Sequence, residues 1–473
     1  MNAASMPTSV DTDLKLNEQT LRARVHHTAD LDIKKFALSA SDTPAFVAYM
    51  KGAVDEQKLY NYLQPLLLNS FPTAHPRGDA TFGQIKQSSE WEVIQSSLFE
   101  GMSCVFIQGE SQVILLDTTS WPVSPVTEPQ SEFTLKGARI GFNESGASSL
   151  AMIRSYLPTS DLRIRKMTVG TATKTQVYLL SMKNIADEED IEVLADRIAR
   201  TDTDAILNTG ELVEYIEDRR FTLFPQFVLT ERPDWVATNL LNGKVALVVD
   251  RSPHVLLGPV SFLSFFHSVD DHNMRWPVAT FFRLLRFAGL LIAVLLPSFY
   301  IAAISFHYEI IPIDLVYSIG ISLEQVPFPP IIEALFMEIT LEMLREAGLR
   351  LPSKIGQTIG IVGGIVIGQA AVQANFVSNI MIIVVALTAI ASFIQPNQDM
   401  GSALRLLRFP FMLAAYFMGL IGIVIGIMIV VIHVLSLQSL NKSYTAPLFP
   451  VRLGKWKSAI LRLPLTTLKR SSK

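Results

Sequence analysis

The sequence predicts an α/β N-terminal region of two subdomains, placed in the cytoplasm, followed by an all-α multi-pass membrane domain. Three observations predict it. Charge is split along the chain: residues 1–280 carry 25 Lys and Arg against 35 Asp and Glu, whereas residues 281–473 carry 15 against 8. An acidic, water-soluble half is thus joined to an apolar half with basic flanks. Between residues 130 and 270, helix-period and strand-period segments alternate, the pattern of an α/β domain. Finally, glycine recurs every four residues at Gly356, Gly360, Gly364 and Gly368. These lie in a charge-free run from Ile355 to Gln398, longer than the ~20 residues that one membrane span requires.

Taken in order, residues 1–30 read as a flexible polar arm without the apolar segment of a signal peptide, so the soluble half is expected to stay in the cytoplasm. Residues 31–130 form a first subdomain. Its pattern looks helical from Leu31 to about Ser97, notably Val54–Leu68, and is followed by a hairpin, Cys104–Gln108 and Gln112–Asp117, around Gly109. The proline-containing stretch Trp121–Pro129 marks the boundary. Residues 131–280 form the second subdomain, with helices at Gly146–Leu157 and Glu188–Arg200, strands at Thr175–Met182 and Val245–Val249, and a mixed sheet expected. Tyr215–Asp218 with Arg219 and Arg220 reads as a solvated helix end.

The membrane domain spans 281–441. Phe287–Tyr308 is long enough to cross, and Arg275, Arg283 and Arg286 favour its start inside. A proline-dense link, Val326–Pro330, leads to a helix-like segment, Ile331–Ala347. The run 355–398 fits a helical hairpin breaking near Asn375–Ser378. The run Phe409–Asn441 is long for one helix and short for two. The tail 442–473 has eight Lys and Arg and no acid, which places it inside; the second run must then re-enter or fold back.

Enzyme signatures are absent: there is no phosphate-binding glycine loop, His-Glu-x-x-His, Gly-x-Ser-x-Gly or Cys/His cluster, so neither catalysis, cofactor nor metal is expected. His267 and His272 bracket a polar loop with nothing nearby to complete a ligand set. No basic patch with interleaved aromatics points to nucleic acid. Cys104 stands alone, so no intrachain disulfide forms. Thr230–Asp234 reads as a helix start capped by Asp234, or as a hydrogen-bonded corner between subdomains.

Two polar faces carry the functional reading. Glu338, Glu342 and Glu346 share one helix face while Glu333 points away, either as a solvated interfacial helix or as a carboxylate ring around a cation path. On the glycine helix, Thr358, Val362, Val366, Gln369 and Gln373 cluster roughly opposite the glycines. Small residues let helices pack closely, whereas glutamine at membrane depth needs protein or water. The pore-lining candidates are therefore Thr358, Val362, Val366, Gln369, Gln373, Glu338 and Glu342. The helix-packing residues are Gly356, Gly360, Gly364 and Gly368.

At these residues the chain resembles the A subunits of GerA-type spore germination receptors. The resemblance runs from about residue 100 to 470. It is carried by Phe224–Gln226, Thr230–Asp234, Lys244–Pro253, Val326–Pro330, Leu344–Pro352, Gly368–Val372 and Ala391–Phe393. Three positions depart from it: Ser124 stands for an arginine, Ser149 for an asparagine, and Asp271-His272-Asn273 for a more aromatic Asp-Tyr-Tyr. The resemblance implies a nutrient-sensing complex in the spore inner membrane with a transporter-like B subunit, which holds the nutrient, and a lipoprotein C subunit. The A subunit is implied to assemble as a homo-oligomer, a pentamer, into a ligand-gated cation channel. Two other readings stand beside it. A secondary transporter component would show paired repeats, and none is visible across 281–441. A membrane scaffold without a transport role leaves Gln369 and Gln373 unexplained.

Overall fold

Strand pairing builds the soluble half. The structure, a computed structural model, describes residues 7–26, 28–38, 42–67, 85–120, 129, 132, 134, 136–350, 363–364, 366–449 and 461–462. Expectations for residues 1–6, for Trp121–Glu128, for Gly356, Thr358, Gly360 and Val362, and for most of the basic tail lie outside these residues.

Residues expected in a polar arm form helix α1 (Leu14–Arg24), whose N-terminus is capped by the Asp13 carboxylate accepting the Lys15 amide. Leu21 and Val25 anchor it. The segment expected to be helical begins instead with a hairpin, β1 (Leu31–Leu38) and β2 (Thr43–Met50), in register from Leu31 opposite Met50 to Leu38 opposite Thr43. The reason is double coverage. Phe46, Ala48 and Met50 pack under α1 and α3 (Trp91–Phe99). Val47 and Tyr49 pack under α2 (Glu56–Leu67) on the other face. A strand buried on both faces loses its alternation and reads like a buried helix. Helix α2 lies within the predicted Val54–Leu68. Strands β4 (Ser103–Ile107) and β5 (Val113–Leu116) are the hairpin read around Gly109, and with β3 (Ile85–Ser88) they complete the sheet order β1-β2-β4-β5-β3.

The second sheet contains β6 (Leu162–Val169), β7 (Thr175–Met182), β8 (Val228–Thr230), β9 (Val245–Val249) and β10 (Val255–Gly258), in the order β6-β7-β9-β10-β8. Every pairing in it is antiparallel, not mixed as expected. Two hairpins, β6–β7 and β9–β10, set the strand directions, which strand–helix alternation alone does not encode. The two sheets share one strand topology, hairpin, edge strand, hairpin, each with a leading helix; one helix precedes the edge strand in the first sheet and two in the second. Helices α4 (Gly146–Tyr156) and α7 (Pro233–Leu241) cover one face through Leu150, Ile153, Val236 and Leu240. Helices α5 (Glu188–Ala199) and α6 (Thr209–Ile216) cover the other through Leu194, Ile198, Leu212 and Ile216. Each such fully buried side chain contributes about 1.5–3 kcal/mol relative to exposure. The sheets are tied by Arg154 on α4, which donates to Asp30 just before β1 at 2.8 Å with both side chains buried.

Beyond residue 275 the chain is helical: α8 (Trp276–Ser305), α9 (Ile313–Glu324), α10 (Pro330–Leu349), α11 (366–373), α12 (Asn379–Phe393) and α13 (Gln398–Ser436). Helices α8 and α13 are long and apolar enough to cross a membrane. α13 is not straight. At Gly419 the backbone takes φ 59° and ψ −139°, and the helix doubles back. A Cβ on Gly426 would lie 2.7 Å from the Phe411 ring, a contact impossible along one straight helix. The run that looked long for one helix and short for two is thus a hairpin with arms 398–418 and 420–436.

Hydrogen bonds and close contacts set the direction of each helix. Near the second sheet, Gln395 donates to the Arg286 carbonyl. Further along, Arg408 donates to the Ala293 carbonyl and to Glu338. Further still, Tyr300 and Glu333 both meet Ser378. At the far end, Gly419 packs on Phe306. Helices α8, α10, α11, α12 and the two arms of α13 therefore alternate in direction, and the last arm returns to the second sheet. There Asp218 accepts the amides of Leu440 and Asn441, Ser439 donates to the Gln226 carbonyl, and buried Tyr444 donates to the Pro225 carbonyl. The expected solvated helix end at Asp218 is instead the anchor for the returning chain.

Candidate functional site: the polar interior and base of the helical bundle

Helix α10 starts after Pro329 and carries Pro330 in its first turn, where the missing amide costs no hydrogen bond. Its carboxylates divide by environment. Glu333 is buried and accepts the Ser378 amide at 2.7 Å, capping the start of α12 together with the Ser378 hydroxyl. Glu338 is buried against the bundle interior and ion-paired with Arg408, itself 5% exposed. Glu342 is half-exposed and lies 3.5 Å from Arg345 and 3.4 Å from Arg405. Glu346 is exposed and pairs with Arg350. The helix face read from spacing thus grades from buried at Glu338 to exposed at Glu346.

Of the glycine helix, 363–364 and 366–373 are described. Gly368 is buried, while Val366, Gln369 and Gln373 are exposed on the single chain. A Cβ on Gly364 would meet nothing within 4 Å, so room for close approach remains there. The helix stops at Asn375, whose φ of 55° ends the run, and Ser378 starts α12, as the break near Asn375–Ser378 predicted.

At the base, Asp271 is fully buried and accepts Arg283 and Arg286, each at 2.9 Å. Two cations on one carboxylate leave a positive surplus where α8 begins. The loop His267–His272 supplies this anchor, and the His272 ring lies 5.6 Å from Trp235. Among the described residues no group of three or more His, Cys, Asp or Glu could hold a metal. The Thr230–Asp234 run forms a corner. Arg232 is the N-cap residue of α7, and its guanidinium bonds Asp234 and the Thr134 hydroxyl, while Thr230 donates to Glu132. Asp234 acts in the first turn, accepting the Trp235 amide, rather than as the cap itself. Glu231 bonds His254 at 3.2 Å and raises its pKa.

Sequence reading missed Asp271, Arg408, Gly419 and the Asp30–Arg154 pair. Arg408 was not singled out, because its partner Glu338 is 70 residues away and no spacing rule joins them. Gly419 carried a signal in retrospect, a glycine near the middle of an over-long apolar run.

A family model described as "Bacillus/Clostridium GerA spore germination protein" matches residues 19–473. Spore germination protein KA of Bacillus subtilis is 37% identical over 466 residues, covering 97% of this chain and 86% of that protein. Spore germination protein A1 of the same organism is 41% identical over 369 residues, covering 78% of this chain and 77% of that protein. Among solved structures, the N-terminal domain of the A subunit of the Bacillus megaterium spore germinant receptor GerK3 aligns with a TM-score of 0.42 and 28% identity. It covers 54% of this chain and 98% of that one.

Proposed function

The chain belongs to the GerA family of spore germination proteins, and from that premise we propose that it is the A subunit of a nutrient germinant receptor in the spore inner membrane. In this reading it works with a transporter-like B subunit and a lipoprotein C subunit. It assembles as a homo-oligomer, a pentamer, around a ligand-gated cation path. The helices beyond residue 275 form a multi-pass membrane domain, and the soluble half and the returning tail lie on the cytoplasmic side.

The observation that carries the channel reading is the described part of the glycine helix. Gln369 and Gln373 are exposed on the single chain, at a depth where glutamine needs water or a protein partner. Gly364 leaves space for a second helix backbone. By sequence spacing alone, Thr358 and Val362 are proposed to share the face of Val366, and the two valines to supply an apolar constriction able to close by dewetting. Gly356 and Gly360 are proposed, on the same spacing, for the packing stripe. Of the two candidate carboxylates, Glu342 has free surface to offer a cation. Glu338 serves the path by holding Arg408.

The test is conductance of the purified chain in a defined bilayer with the cation replaced stepwise. Cation-selective currents are expected, with selectivity lowered by Glu342→Gln and assembly blocked by Gly364→Leu. A bilayer that stays silent while the oligomer is intact, or currents that prefer anions, overturns the channel reading and returns the chain to a scaffold role.

A further inference from the structure

A cavity of about 480 Å³ lies between the second sheet's helix α7 and the base of the helical bundle, within the ~300–1,000 Å³ that small-molecule sites occupy. Its four cationic side chains come from three places in the chain: Lys244 just before β9, Arg283 and Arg286 on α8, and Arg462 from the tail. Arg283 and Arg286 share the single carboxylate of Asp271. Arg462 donates to the backbone carbonyls of His272 and Met274 and has no carboxylate among the described residues. The Lys244 amide donates to the Asn239 carbonyl, while its side-chain ammonium has neither hydrogen bond nor ion pair among the described residues. Glu132 is the one acidic residue among the described residues of the lining, and the Thr230 hydroxyl already occupies it. Among the described residues, four cationic groups therefore face two carboxylates, an imbalance of charge that favours an anion in a semi-enclosed site.

Neutral polar groups complete the wall. Asn239 lines the cavity and donates its amide nitrogen to the Trp235 carbonyl, and its side-chain oxygen accepts no hydrogen bond among the described residues. Gln395 donates to the Arg286 carbonyl, while its buried side-chain oxygen has no partner among the described residues. Such acceptors suit the hydroxyl of a hydroxylated anion.

We propose that this cavity is a binding site for a phosphate-bearing ligand, held by Lys244 and Arg462 with Arg283 and Arg286 behind them. A surplus of two positive charges matches a phosphate dianion better than a single carboxylate, and guanidinium and ammonium groups are the usual phosphate partners. Burial pushes the Lys244 ammonium down to about 8, so it is charged at neutral pH and gains from an anion. The phosphate has two possible sources, a free phosphorylated solute or an anionic lipid headgroup, since the cavity opens where the apolar helices begin. The site is independent of the channel reading.

The experiment uses the full chain in detergent, titrated calorimetrically with inorganic phosphate in one arm and short-chain phosphatidylglycerol in the other. Saturable phosphate binding, weakened about tenfold or more by Lys244→Met and retained by Lys244→Arg, is expected for a free solute. Saturation by the lipid alone, with the same dependence on Lys244, assigns the site to a headgroup. Asn242→Asp, on the exposed rim of the cavity, is expected to weaken either ligand by adding negative charge, and it decides the matter if Lys244→Met does not fold. No saturable binding in either arm, or binding indifferent to Lys244 and Asn242, overturns the proposal.

Discussion

Glu338 and Arg408 meet inside the bundle with side chains 3% and 5% exposed. Each also keeps a polar atom, Glu338 Oε1 and Arg408 Nη2, without a partner among the described residues. Removing one member of such a pair leaves an uncompensated buried charge, whereas replacing both with apolar groups of similar size is often neutral. Glu338→Leu is therefore expected to destabilise the folded bundle by about 3–5 kcal/mol, and Glu338→Leu with Arg408→Met to recover most of that loss. Thermal unfolding in detergent measures both, and equal losses for the single and double variants would count against the pairing. This scale was the least legible in the sequence. Spacing on one helix correctly put Glu338, Glu342 and Glu346 on a shared face. Whether that face met water, a neighbouring helix or an arginine was settled by tertiary contacts. The same is true of Asp30 and Arg154, 124 residues apart and joined only because two sheets abut.

Elements were legible where one face is exposed or a turn is explicit. Thr175–Met182 and Val245–Val249 occur as read, and Gly109 marks its hairpin. They were illegible where both faces are covered, as in β2, or where charge hides inside a helix. The first arm of α13 begins at Gln398 and includes Arg405 and Arg408. Both are neutralised by glutamates of α10, so a reading that starts helices where charge stops lost that arm's first turns. The hairpin depends on Gly419. Its φ of 59° with ψ of −139° is open to glycine alone, and a Cβ there would lie 3.1 Å from both Phe306 and His307. Gly419→Val is expected to cost about 1–3 kcal/mol from backbone strain alone and to spread the arms. Spin labels at Ser402 and Ser436 report this directly. They lie close together in a hairpin but about 50 Å apart along a straight helix, so a long distance in the unsubstituted protein would refute the fold-back.

For the whole molecule, the division into an acidic soluble half and an apolar half was written in the charge distribution, and the repeated topology of the two sheets was not. Strand order arises from long-range pairing, and the two halves share no motif that periodicity could detect. The helix directions carry a stronger consequence. Helices α8, α10, α11, α12 and the two arms of α13 alternate, an even number of segments that brings the chain back to the second sheet. There Lys442 pairs with Asp187 and Asp190. In the proposed membrane reading, entry and exit then lie on one side, which Arg275, Arg283 and Arg286 at the entry make the cytoplasmic one. On that reading the far end, around Tyr308–Ile310, is expected on the other side. A single cysteine at exposed Asp202 is then expected to stay unlabelled by a membrane-impermeant thiol reagent in intact cells, and one at exposed Glu309 to be labelled. The native thiol does not interfere, because Cys104 is buried and burial pushes its pKa up to about 12, leaving almost no reactive thiolate. Labelling at Asp202 with Glu309 protected would invert the topology while keeping the even number of passes. Labelling at both sites, or at neither, would overturn the proposed multi-pass arrangement and with it the proposal that Gln369 and Gln373 lie at membrane depth.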